Sequence, residues 1–104
     1  MSVELPTFDD AAHLDTDLDG QTLQAIRIAA DNLLDADPKV QACEDKQSSY
    51  RYRAMRKGDV IFVRITYKPE NCGHAVRVMD GGATYAVSAD GKLLRRNLDG
   101  LGDW

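Results

Sequence analysis

The sequence predicts an α+β domain in which one helix packs on a curved antiparallel meander of four strands, with a fifth short strand as an alternative. Three observations carry this expectation. Gly20 to Ala36 repeats apolar residues at helical spacing, Ser48 to Tyr67 alternates like a hairpin, and glycine-rich turns punctuate further alternating segments in the second half.

The chain of 104 residues suits a single modest core, with residues 20–104 as the domain and residues 1–19 as an irregular acidic arm. Leu5, Phe8 and Leu14 are the arm residues able to pin it to the body. A composition of 43% apolar and 29% charged residues is that of an ordinary water-soluble chain. No basic segment followed by an apolar run opens the sequence, and no long apolar stretch occurs. A leader peptide, a membrane helix and a membrane partner are therefore not expected, although a mature form left after leader removal stays open. Residues 1–46 hold eleven acids and three bases, net −8, whereas residues 47–104 hold six acids and ten bases, net +4. That basic half is too sparse for a nucleic-acid footprint. Attraction between an acidic helix side and a basic sheet side is the plainer reading.

Asp15, Asp17 and Asp19 precede Gly20 in a string like the first half of a calcium loop, with acids at positions one, three and five. The pattern then fails, because Ile26 stands where a bidentate Glu is needed. The alternative is helix capping by Asp19, with Leu18 and Leu23 as a hydrophobic staple. In the helix that follows, Leu23, Ile26, Ala30, Leu33 and Leu34 form the apolar stripe, and Ile28 falls on the polar side. Asp37-Pro38 ends it, since the residue before proline is pushed out of the helical region.

A turn at Lys57-Gly58 pairs Tyr52 with Val63, Tyr50 with Ile65, Ala54 with Ile61 and Ser48 with Tyr67. Seven of these eight residues are apolar or aromatic, and a one-residue slip destroys that face. The same register sets Cys43 opposite Cys72, the only two cysteines. Opposed residues lie roughly 4.5–5.5 Å apart, within the span a disulfide tolerates. The bridge closes a loop of about 30 residues, worth roughly 3–4 kcal/mol in the chain-entropy model. Two buried thiols in a reducing compartment are the alternative. The disulfide, if formed, favours a periplasmic or secreted home; free thiols favour the cytoplasm.

His74–Met79 and Ala83–Ala89 form a second hairpin about Gly81-Gly82, pairing Val78 with Tyr85 and Val76 with Val87. Asp90-Gly91 leads into Lys92–Arg95, a short fifth strand or edge extension. Leu98, Leu101 and Trp104 in the tail tuck onto the body or a partner.

The helix segment QTLQAIRIAADNLL, the hairpin and the run TYAVSADGKLL together resemble cystatin-like α+β rolls, including small bacterial PepSY-type domains and nuclear-transport-factor-like immunity proteins. The resemblance covers about residues 20–96 and implies a protein-binding or inhibitory role. The protease-blocking hairpin of true cystatins is absent: Arg56-Lys57-Gly58-Asp59 occupies that turn. Fold likeness assigns no site by itself.

No catalytic constellation is found. Cys72-Gly73-His74 lacks an orienting third group, His13 lies in the arm, and phosphate loops, metal-ligand spacings and nucleophile elbows are missing. No cofactor or enzyme activity is expected. The informative surface is the outer sheet face, where Arg51, Arg53, Phe62, Arg64 and Arg77 stand among Met55, Val60 and Met79. Arginine with aromatic or methionine side chains suits an interface. A solvated face whose arginine stems cover apolar neighbours is the alternative. The expected function is a non-enzymatic inhibitor or immunity-type module that occludes a partner protein bearing an acidic surface, such as a toxin or secreted enzyme, or that pairs with a second copy. The other reading is a small-molecule-binding or weakly catalytic roll with a cavity between helix and sheet.

Overall fold

The computed structural model describes residues 3–9, 16–34, 43, 46–68, 82–99 and 102–103. Helix α1 (Gly20–Leu33) packs on an open antiparallel sheet whose order follows the chain: β1 (Tyr50–Lys57), β2 (Val60–Tyr67), β3 (Ala83–Ser88) and β4 (Leu93–Leu98). A two-residue β5 (Gly102–Asp103) pairs with β4. The expected α+β class and meander are found.

Helix α1 starts where the Asp19 carboxylate accepts the Thr22 N–H at 2.7 Å, so capping is what this acid does. That bond holds the Asp19 carboxyl below its ordinary range. The helix ends before Asp37-Pro38. Leu34 turns extended (φ −131°, ψ 140°) while its N–H donates to the Ala30 carbonyl at 2.8 Å. Its buried seam also differs from the expected stripe. Ala25, Ala29 and Ala30 are buried, Ile26, Ile28 and Leu33 pack beside the core, and Leu23 is 48% exposed. Alanines one turn apart let the helix backbone approach the sheet, whose own bulky residues fill the space. Those residues are Ile61, Val63 and Ile65 of β2 with Ala83, Tyr85 and Val87 of β3, all 0–1% exposed. The Tyr85 hydroxyl donates to Asn32 Oδ1 at 3.0 Å, and Arg96 donates to the same oxygen at 2.6 Å, tying β3 and β4 to the helix.

The hairpin register is not the one expected. Tyr50 faces Tyr67, Tyr52 faces Ile65, Ala54 faces Val63 and Arg56 faces Ile61, with Gly58-Asp59 as the turn. The shift is two residues, so every side chain keeps its expected face. Turn chemistry explains the choice. Primed hairpin turns need positive φ at the first central position, and Gly58 supplies it at 61°, where the expected turn demanded it of Lys57. The observed register also stacks Tyr50 edge-to-face on Tyr67, ring centroids 5.4 Å apart. The 3₁₀ turn Gln47–Ser49 interrupts the extension before β1, and the Tyr52 hydroxyl donates to Gln47 O at 2.7 Å. Burial pushes the Tyr52 phenol up to about 12. Cys72 lies outside the described residues, and with it the expected bridge to Cys43.

The second half departs further. β3 pairs directly with β2, Tyr85 facing Val63, and on its other side with β4, Tyr85 facing Arg96. Both edges of β3 are thus occupied. Residues 74–79, expected to pair with β3 through Val76 and Val78, lie outside the described residues. From the Lys92–Arg95 segment, Leu93–Arg95 open β4, the fourth strand of the meander, with a bulge where Leu94 is the extra residue. Leu5 and Phe8 of the arm do not pin it to the body, being 90% and 75% exposed.

Replacing Gly58 by Ala is expected to cost about 1–2 kcal/mol, because Ala resists positive φ. Lys57→Ala should stay within about 0.5 kcal/mol. Equal losses in urea denaturation of the two variants would contradict the Gly58-Asp59 turn.

Candidate functional site

The outer face of the sheet carries the side chains that alternate away from α1. Register arranges them in cross-strand rows. One row runs Met55, Phe62, Ala86, Arg95, and the next runs Arg53, Arg64, Thr84, Asn97. Phe62 is the only large apolar side chain in the interior of these rows. The surface dips beside it into open depressions of about 440 and 240 Å³ that share Phe62 and Thr84, the smaller one lined also by Ala86. Met55 closes one side and is 58% exposed.

The structure brings Arg51, Arg53, Phe62 and Arg64 onto this face, as the sequence suggested. Arg77 lies outside the described residues. The expected opposition of Arg51 and Arg64 is corrected by the register: Arg53 faces Arg64, and Arg51 faces Thr66. Like charges opposite each other destabilise a ladder unless something compensates. Asp99 does so. Its two oxygens accept from Arg64 Nη1 at 2.8 Å and Nη2 at 2.7 Å, a bidentate pair, and Thr84 Oγ1 accepts from Nη1 at 3.1 Å. The arginine holds the Asp99 carboxyl below its ordinary range, chiefly by hydrogen bonding.

Gly82 makes this clamp possible. A Cβ there would sit 2.7 Å from Asp99 Oδ2 and 2.8 Å from the Ile65 carbonyl. The Gly82 carbonyl meanwhile accepts the Asp99 N–H at 3.0 Å. Arg64 is therefore spoken for within the chain. Among the described residues, Arg51 and Arg53 have no carboxylate partner. On the β1 side the face thus keeps two exposed arginines, Arg51 and Arg53.

Sequence reasoning missed Asp99, Gly82 and Arg95. Asp99 follows Leu98 in a stretch read as tail, and nothing local links it to a strand 35 residues earlier. Among the described residues no three His, Cys, Asp or Glu side chains gather as a metal site, and Asp15 of the suggested calcium string lies outside them. No described helix is long and apolar enough to cross a membrane.

No known protein family, curated protein or solved structure matches this chain. The class that the fold defines is one N-terminal helix on a four-stranded antiparallel meander, with no family identified.

Because Asp99 has a lowered folded-state pKa, its pairing stabilises the fold fully above about pH 4, and that contribution fades as pH falls through the folded value. Asp99→Asn should lower stability by at most about 1 kcal/mol at pH 7, the pair being a third exposed, and the gap to wild type should close near pH 2. A gap independent of pH, in denaturation followed by circular dichroism, would contradict the charge pairing.

Proposed function

We propose that the chain is a non-enzymatic protein-binding module of the cystatin-like roll type, an inhibitor or immunity-type protein that occludes a partner through the outer face of its sheet. The observation that carries this reading is the pairing of two arginines without carboxylate partners among the described residues, Arg51 and Arg53, with exposed Met55 and the dip at Phe62. Charged groups at the rim would steer an acidic partner, and an apolar partner side chain seated at Phe62 would supply the desolvated centre. The alternative, a carrier or weakly catalytic roll, needs a cavity between α1 and the sheet. That space is filled instead by Ala25, Ala29, Ile61, Val63, Ile65, Tyr85 and Val87, which supports the binding reading.

The test compares proteins retained from a source-organism lysate by wild type and by the Arg51→Glu/Arg53→Glu double variant, identified by mass spectrometry. A specific acidic protein should be retained by wild type and lost at least about tenfold in the variant, with unchanged circular dichroism. Raising salt should weaken retention of that protein in step. Equal retention by a folded variant would remove this face as the site.

A further inference from the structure

Strand β1 forms one edge of the sheet, with β2 on one side and, among the described residues, no strand on the other. The register fixes which backbone groups point outward. In a hairpin with a two-residue turn, the flanking pair exchanges both hydrogen bonds, and bonded pairs then alternate along the ladder. Lys57 and Val60 flank Gly58-Asp59, so Lys57, Met55, Arg53 and Arg51 bond to β2. The Lys68 N–H donation to the Ser49 carbonyl at 2.9 Å continues this alternation beyond the strand. Tyr52, Ala54 and Arg56 consequently direct their N–H and C=O groups out to the open edge.

We propose that this edge takes an extended acidic segment of a partner protein as an added strand, a mode that rests on the binding function proposed above and specifies it. Charge selects the occupant. β1 carries Arg51, Arg53, Arg56 and Lys57 and no acid in eight residues. An added strand with carboxylates at alternate positions lays them beside Arg51 and Arg53 on the outer face. Its intervening side chains fall on the helix side, where Ala54 is small and exposed. A second copy is a poor occupant. Each antiparallel pairing of two β1 strands that keeps faces matched sets at least one arginine opposite another basic residue.

Ala54→Pro tests the proposal. Proline there removes only an outward N–H and no ladder bond, a position edge strands tolerate, and Ala54 contributes nothing to the core. The probe is a capped eight-residue peptide alternating glutamate and valine, titrated by NMR. Wild type should show amide shifts centred on Tyr52, Ala54 and Arg56, and Ala54→Pro should weaken binding at least about tenfold. The same peptide N-methylated at alternate positions keeps its charge and should bind as poorly. Should the proline variant fail to fold, the N-methylated peptide on wild type decides alone.

Equal affinity for the N-methylated peptide, no wild-type binding at millimolar peptide, or unchanged affinity in a folded Ala54→Pro protein overturns strand addition. So does sedimentation showing a wild-type dimer that Ala54→Pro makes monomeric, which assigns the edge to a second copy. Partner capture lost in Arg51→Glu/Arg53→Glu but kept in Ala54→Pro removes the strand mode and leaves the outer-face function standing. Capture kept in both removes the function itself.

Discussion

Among the described residues a single helix covers the inner side of the sheet, and its width sets the burial pattern of the strands. An α-helix is about 10 Å across, while neighbouring strands lie about 4.8 Å apart, so one helix shields roughly two strands. The burial pattern follows that proportion. β2 and β3 alternate cleanly between buried and half-buried residues, whereas β1 is mostly exposed and β4 has no fully buried residue. The core is correspondingly narrow, two rows of β-branched and aromatic side chains under an alanine seam. Close approach of α1 is what closes that narrow core. Larger residues at Ala25 and Ala29 would lift the helix and open the space beneath it.

The flanks add polar ties to the partial packing of Tyr50, Tyr52 and Leu98 against the core. On the β4 side, Asn32 accepts from both Tyr85 and Arg96. At the start of α1, Arg56 donates to Gln21 Oε1 at 2.7 Å and to the Gly58 carbonyl at 3.0 Å, holding the hairpin tip against the helix. On the outer face, Asp99 neutralises one of two facing arginines and locks the end of β4 to β2. These ties leave the charge on the outer face uneven. Arg64 is satisfied internally, whereas Arg51 and Arg53 of β1 stay exposed.

The fold class and both faces of the hairpin were legible from alternation, because a period of two records which side of a sheet each residue takes. Alternation is blind to a slip of two residues, which changes every partner and no face. The turn carried the missing information: Lys-Gly and Gly-Asp are both plausible two-residue loops by composition, and only the demand for positive φ at the first position separates them. Strand order in the second half was less legible. Val76-Arg77-Val78 alternates as well as Thr84-Tyr85-Ala86-Val87 does, and local pattern does not say which of them sits beside β2. Of the site, the arginines and Phe62 were found from their face, whereas the Asp99 clamp was not, since a bidentate pair across 35 residues leaves no periodic trace. Within the helix stripe Ile26, Ala30 and Leu33 face the core, and exposed Leu23 departs from it for a related reason. Hydrophobicity ranks leucine above alanine, but close packing on bulky strands favours the smaller residue.

The account turns on β1 being an open edge in the register that Gly58 sets. Amide hydrogen exchange of the free protein, resolved by residue, examines both at once. Exchange should alternate along the strand, with Arg51, Arg53 and Met55 protected by β2 and Tyr52, Ala54 and Arg56 exchanging far faster. Uniform protection across residues 51–56 would mean that the edge is already covered, and the inverse alternation would mean that the register is wrong.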